Sequence, residues 1–293
     1  MTDFASTTFD DWAATARMVP TGGLEVATYA VGEGAGTVTY LHGYPSCSLD
    51  IGPVVDLAGD VATFLALDFP GFGASDKPRG HAWSIAACAD AVEAMWAERG
   101  VTSTVLQCHD YGVSPGQELL ARRAEGRLSV EITATIWHNG GLYPDLHRPT
   151  VGQQLLVDPE RGPEIAQAMT EDLFTSGVGV TWGRRQPLDE FAVHQMWQSM
   201  QARGGAGRAN ELLHYMAERR EFAARWSGSL EQYDGPMWFV WGDLDPVSGA
   251  HMVERVEANI PGATVQRLDD VGHWPTLEAP AECAAAVRAA VAR

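Results

Sequence analysis

Residues 37–41, 62–67, 101–108, 130–137, 237–241 and 264–268 are apolar runs of strand length bounded by glycine, proline and aspartate. Each reads as a buried strand. Residues 116–123 begin a helix, so the run 101–108 is followed by a tight strand-to-helix turn, with small residues at Cys108 and Gly112 to permit it. From about residue 140 to 233 strand character disappears. Phe191, His194, Gln195 and Gln198 there stand opposite Val193, Met196, Trp197 and Met200, a helical period that Gly204-Gly205 ends. The pattern predicts an α/β core formed by residues 1–139 and 234–293, interrupted by a helical cap at 140–233.

Three of the predicted strands run into ionisable residues. Residues 101–108 lead to His109-Asp110-Tyr111-Gly112, residues 237–241 to Gly242-Asp243-Leu244-Asp245-Pro246, and residues 264–268 to Asp269-Asp270-Val271-Gly272-His273. Reactive groups of parallel sheets gather at the carboxyl ends of strands, so a nucleophile, an acid and a histidine in this order point to a hydrolase site. A lone aspartate at a strand end is more often a helix cap; the two distant partners favour the catalytic reading. Gly112-Val113-Ser114-Pro115-Gly116 overlaps the turn and matches G-x-S-x-G on paper. Pro115, however, has no N–H to lend to an oxyanion hole, so Ser114 is expected to cap the helix instead.

With the upstream segments His42-Gly43-Tyr44-Pro45 and Asp68-Phe69-Pro70-Gly71-Phe72-Gly73, the chain resembles the α/β-hydrolase superfamily, in its aspartate-nucleophile branch of epoxide hydrolases and haloalkane dehalogenases. Within that branch, His109-Asp110-Tyr111-Gly112, Gln117-Glu118-Leu119-Leu120, Asn139-Gly140-Gly141-Leu142-Tyr143-Pro144, His147-Arg148-Pro149, Arg225-Trp226 and Leu244-Asp245-Pro246-Val247 are most similar to the mesoderm-specific transcript-like subgroup. The resemblance implies a mostly parallel eight-stranded sheet flanked by helices, with a helical lid inserted between the sixth and seventh core strands. It also implies that Asp110 is the nucleophile, His273 the base, Asp245 its partner, and the N–H groups of Tyr44 and Tyr111 the oxyanion hole.

An ordinary aspartate ionises near pH 3.9, so Asp110 can attack as a carboxylate without a base, leaving His273 free to activate water. Attack on an oxirane or carbon–halogen carbon gives an alkyl ester that water cleaves, whereas a serine would give an inert ether. Dehalogenases of the branch supply halide donors from a tryptophan after the nucleophile and an asparagine or second tryptophan; this chain has Tyr111 and Tyr44 at the turn and at the His-Gly loop. The cap tryptophans Trp182 and Trp197 are candidate substitutes. Epoxide opening instead needs an acid, which family epoxide hydrolases take from cap tyrosines; Tyr215 and Tyr143 are the candidates. Epoxide hydrolysis is therefore the leading expectation, with haloalkane dehalogenation, serine esterase activity and a catalytically silent binding fold as alternatives. Among the remaining residues, His42 is expected to support its loop, His109 to pack beneath the turn, and Asp68 to brace the Gly-Phe-Gly turn; His42 is also a candidate substrate contact, alongside Tyr215, Tyr143, Trp182 and Trp197. Asp243 rivals Asp245, and Asn139 lies where some dehalogenases place their acid.

Composition narrows partners and setting. The formal charge of −18 opposes nucleic-acid and anionic-membrane binding, and Glu218, Arg219, Arg220 and Glu221 read as a solvated helix face. A small apolar or amphipathic organic substrate, a monomer or homodimer, and a cytoplasmic location are expected, since residues 1–20 lack a basic start and an apolar core. Cys47, Cys88, Cys108 and Cys283 are scattered and the nine histidines show no ligand spacing, so no metal or cofactor is expected. The glycine-rich run 32–36 precedes a strand, which predicts a hairpin-type turn and no phosphate cradle.

Overall fold

The computed structural model describes residues 4–293. Eight strands form one sheet: β1 (Arg17–Thr21), β2 (Leu24–Val31), β3 (Gly36–Leu41), β4 (Ala62–Leu67), β5 (Ser103–Cys108), β6 (Glu131–Trp137), β7 (Met237–Gly242) and β8 (Thr264–Leu268). Their order is β1-β2-β4-β3-β5-β6-β7-β8. The first two pairings, β1 with β2 and β2 with β4, are antiparallel, and from β4 onward the sheet is parallel. The central strands carry Val38, Phe64, Leu106, Ile136 and Phe239 fully buried, which explains their unbroken apolar runs: helices cover both faces.

Two expectations about strands change. The run 32–36 is not a hairpin, because β2 and β3 are not neighbours; β4 lies between them. The run instead crosses the start of β4, with the N–H groups of Glu33 and Gly34 donating to the Gly59 carbonyl and that of Gly36 to Val61. The hairpin is the β1–β2 turn at Gly22-Gly23, both at positive φ. Residues 264–268 form the sheet edge, and of them only Leu268 is buried; an edge strand meets a partner on one side alone.

Between β6 and β7 the described residues contain helices and turns and no strand. This helical stretch is fastened to the core at its last helix, Ala223–Glu231, which packs along Val113–Ala124. Buried Glu118 accepts hydrogen bonds from Arg122 Nε (2.9 Å), from Trp226 Nε1 (2.8 Å) and from Arg225. Burial opposes the Glu118 charge, but Arg225, Trp226 and Arg122 hold its pKa below the ordinary value. A second tie is Lys77, whose ammonium donates to the carbonyls of Gly73 (2.6 Å), Ser199 (3.0 Å) and Ala202 (2.8 Å). A buried ammonium satisfied by three carbonyls fixes the end of helix Glu190–Gln201 against the Gly71–Gly73 turn. No helix among the described residues is long and apolar enough to cross a membrane.

Helix Val113–Ala124 lies close beneath β5 and β6 because Gly116 has no side chain there. A Cβ at Gly116 would stand 2.5 Å from Cys108 Sγ and 3.1 Å from the Trp137 ring. Gly116→Val should therefore lower stability by about 2 kcal/mol through overpacking, read as a lower urea midpoint; an unchanged midpoint would contradict this tight packing.

Candidate active site

Asp110 sits two residues beyond β5, on a turn held from both sides. The His109 N–H donates to the Leu41 carbonyl (2.9 Å), and the Asp110 N–H donates to the Asn139 carbonyl (2.8 Å), so hydrogen bonding with the strands on either side continues past the end of β5. Asp110 itself has φ +46°, in the left-handed region that a non-glycine residue rarely adopts. Gly43 and Gly140 give it room: a Cβ at Gly43 would meet Asp110 Cβ at 2.8 Å, and one at Gly140 would meet the Asp110 carbonyl oxygen at 2.9 Å. Helix Val113–Ala124 follows at once. Ser114 is not its cap; the capping residue is Gly112, without a side-chain bond, and Ser114 is fully buried inside the first turn with an unpartnered hydroxyl. Pro115 is tolerated there because first-turn N–H groups have no partner within the helix.

The loops after β5, β7 and β8 bring three side chains into one line. His273 Nε2 lies 3.2 Å from Asp110 Oδ2, and His273 Nδ1 lies 2.7 Å from Asp245 Oδ2. Asp245 is fixed by the Ser248 hydroxyl (2.7 Å), the Val247 N–H (2.8 Å) and the Asn139 amide (3.1 Å). Asn139 thus braces the acid from the end of β6, while Asp243 turns outward to Arg267. The other Asp110 oxygen, Oδ1, accepts the Tyr44 N–H at 2.7 Å. The Tyr111 N–H makes no hydrogen bond to this carboxylate, so one of the two expected donors is engaged.

All three groups are buried, and their charges are mutually dependent. Burial works against ionisation of Asp110, yet the His273 hydrogen bond and charge, with the Tyr44 N–H, hold its carboxyl well below the usual carboxylate range. Burial likewise opposes the Asp245 charge, and His273, Ser248 and Val247 keep it low. For His273 burial favours the neutral ring, but Asp245 and then Asp110 raise its pKa well above the ordinary value. The two carboxylates therefore add stability above their ordinary range that is lost as pH falls through their depressed values. The imidazolium adds stability below about pH 6.5 that is lost as pH rises through its elevated one. The neighbouring histidines are different: burial pushes His109 down to about 3 and His138 down to about 4.

The supporting residues occupy the following places. His42 is fully buried and bonds the Gly43 carbonyl (2.8 Å) and the Phe69 N–H (3.0 Å), so it holds its loop and does not line a substrate space. His109 packs under the turn and bonds the His273 carbonyl at 2.7 Å. Asp68 accepts the Ala74 N–H (2.8 Å), the Ser48 N–H (2.9 Å) and the Tyr29 hydroxyl (2.9 Å). A cavity of about 150 Å³ reaches His273 and Tyr44, with Pro45, Leu156, Phe174, Val247 and Trp274 among its walls; Asp110 is not one of its lining residues.

Neither Trp182 nor Trp197 lines that cavity. Trp182 donates its N–H to the Gln186 carbonyl (3.2 Å), and Trp197 packs behind Phe174 with ring centres 5.5 Å apart. Tyr143 is also elsewhere, buried under Arg255, whose guanidinium lies 5.3 Å from its ring centre. Tyr215 does not line the cavity either but packs beside the nucleophile turn: its ring meets Tyr111 edge-on at 4.7 Å, its hydroxyl has no geometric hydrogen-bond partner, and the Asp110 charge acts on it. Two residues of the site carry no role in the sequence reading. Arg219 is only 3% exposed, not solvated, and donates to the Gly141 carbonyl. His147 has both ring nitrogens buried and unpartnered, and feels Arg219, Asp110, Asp245 and His273. Arg219 stands one helical turn after Tyr215, the i, i+4 spacing that places two residues on one face, and this was the available signal.

With this geometry in place, comparison with known proteins defines the class. The family model described as the alpha/beta hydrolase fold matches residues 36–280, and the chain belongs to that family. It is 33% identical over 274 residues to the Mycobacterium tuberculosis protein named as hydrolase LipZ, covering 92% of this chain and 93% of the relative. It is 35% identical over 250 residues to the human mesoderm-specific transcript homolog protein, covering 83% and 75%. In fold it is similar to a haloalkane dehalogenase loop variant from Bradyrhizobium elkanii, with TM-score 0.76, 18% identity and coverage of 94% and 95%. It is also similar to an epoxide hydrolase from Vigna radiata, with TM-score 0.72, 20% identity and coverage of 94% and 96%.

The proton on His273 should report the pairing directly. Nitrogen-detected NMR of wild type is expected to show an imidazolium persisting above pH 7, and Asp245→Asn should lower its midpoint by about one to three pH units. An unmoved midpoint would show that Asp245 does not govern the ring.

Proposed function

We propose that this chain is a hydrolase that opens epoxides through a covalent ester on Asp110, with residues 140–233 as the cap over the reacting groups. The observation that carries the reading is the state of the Asp110 carboxylate: one oxygen rests on the Tyr44 N–H at 2.7 Å, and the other, 3.2 Å from His273, is the attacking atom. Asp110 Oδ2 attacks a ring carbon, the carbon–oxygen bond breaks, and the released electron pair takes a proton from the Tyr215 hydroxyl. Esterification removes one of the two carboxylates that hold the proton on His273. The ring then gives that proton to the Tyr215 oxygen and becomes a base.

Water next attacks the Asp110 carbonyl carbon. Its proton goes to His273, and the oxyanion sits on the Tyr44 N–H, with the Tyr111 N–H as the second donor in that state. Collapse expels the product oxygen, which takes the His273 proton. The acid form of Asp110 then returns its proton to His273, and the resting state is restored. Asp245 holds the ring and its charge throughout.

Epoxide is favoured over halide because Trp182 and Trp197, the candidate halide donors, lie away from the cavity, with the Trp182 N–H engaged and Trp197 packed on Phe174, whereas an O–H donor with no acceptor engaged, Tyr215, packs on Tyr111 next to Asp110. Ser114 is disfavoured as a nucleophile by its place inside the helix.

A single turnover in heavy-oxygen water should place the label in the Asp110 peptide; product formed with Asp110 unlabelled would exclude the ester. Tyr215→Phe should slow epoxide opening by roughly 10²-fold, the scale of one general acid, with the denaturation midpoint nearly unchanged. Unaltered formation of the Asp110 ester in that variant would remove Tyr215 from the chemistry.

A further inference from the structure

We infer that Arg219 is the positioning cation of the reaction, taking up the negative charge that leaves Asp110 when the ring opens and acting on the ring oxygen through Tyr215. The inference rests on the proposed epoxide reading and adds a residue to it. The guanidinium lies over the Tyr215 ring, 5.5 Å from its centre, and is 3% exposed. It is held there by its bond to the Gly141 carbonyl, and a Cβ at Gly141 would overlap it, so a glycine at that position is what admits the charge. Its Nε is buried and unpartnered, as are the Tyr215 hydroxyl and both nitrogens of His147. Arg219 Nε, the Tyr215 hydroxyl and the His147 ring, each without an acceptor in place and each acted on by the Asp110 charge, form a site complementary to an acceptor atom that arrives with the substrate.

Charge accounting favours an uncharged substrate whose oxygen becomes negative. Among the four groups that bear directly on the reacting atoms, Asp110 and Asp245 are negative and His273 and Arg219 positive, so their charges cancel. Ring opening transfers one negative charge from Asp110 to the oxygen without changing that sum. A substrate carboxylate would instead leave a net buried charge, which is costly.

The groups that bear on Arg219 are Tyr215 and Arg220 from its own helix, Asp110 from the turn after β5, and His147 from the loop after β6. Burial and then Arg219 push His147 down to about 3, so it stays neutral and adds no second cation. Burial and then the Asp110 charge raise the Tyr215 hydroxyl, and Arg219 opposes them, which makes proton release from Tyr215 easier than it would be without the guanidinium.

The test is the rate of ester formation on Asp110 with styrene oxide, followed by quenching and intact-protein mass from pH 6 to 9. His273 is kept, because it holds Asp110 ionised, and the ester is caught by rapid quenching within the first turnover. With Arg219 present the rate is expected to be flat with pH. Arg219→Gln should slow it by about 10²-fold and make it fall about tenfold per pH unit, because a proton must then supply the missing charge. Arg219→Lys should restore the flat profile and bring the rate to within about tenfold. A folded Arg219→Gln protein with an unchanged rate and a flat profile overturns the role of Arg219 while leaving the Asp110 ester standing. If Arg219→Gln does not fold, the lysine variant decides: a flat profile supports the inference, and a rate that falls with rising pH overturns it. Absence of any ester with Arg219 in place overturns the epoxide reading, and this inference with it.

Discussion

Keeping a carboxylate ionised inside the protein at the end of β5 is the constraint on which the rest depends. A buried charge without partners would take up a proton instead. Asp110 avoids this through two contacts from different parts of the chain, the Tyr44 N–H at 2.7 Å and His273 at 3.2 Å. Those contacts exist only because the turn bends sharply enough to raise the side chain between β3 and β6. The bend is bought with a left-handed residue and with two close approaches, at Gly43 and Gly140. The parallel order of β3, β5, β6, β7 and β8 then determines which loops can reach it. Asp245 and His273 follow strands at the far side of the sheet, and both project back over its carboxyl edge.

What could be read in the sequence follows from what each signal measures. The central strands were legible because burial on both faces leaves continuous apolar runs, and the Asp110, Asp245 and His273 loops were legible because each directly follows such a run. The run 32–36 was misread because local glycine content reports that the chain turns, not which strand it turns toward; inserting β4 between β2 and β3 is a long-range pairing. The edge strand β8 was overrated because the half-apolar run Thr264–Leu268 does not reveal that one neighbour is missing.

The cap was harder for a related reason. Helical periodicity separates inward from outward positions but does not say whether inward means a cavity or a packed interior, so Trp182, Trp197 and Tyr143 were placed at the site while the structure packs them elsewhere. Arg219 failed in the opposite direction. Charge alternation with Glu218, Arg220 and Glu221 is the usual mark of a wet surface, and nothing in it discloses the carbonyl of Gly141 waiting 78 positions upstream. Glu218 is itself used inward, accepting the Ile85 N–H at 2.9 Å, so two of these four charges, Glu218 and Arg219, face the core with partners while Arg220 and Glu221 stay exposed.

In the proposed reaction, that arrangement gives the helical stretch between β6 and β7 an electrostatic role. Asp110, Asp245 and His273 come from the core and sum to one negative charge, whereas Arg219 comes from the helical stretch between β6 and β7. The helical stretch thus supplies the cation that offsets that excess negative charge. Glu118, which anchors the helix after Arg219 through Arg225 and Trp226, sits on the same helix that begins beside Asp110. The position of that stretch and the charge balance around Asp110 are thus joined through Val113–Ala124. A displacement at the Glu118 anchor would move the guanidinium relative to the carboxylate, even though no atom of Glu118 touches the reacting groups.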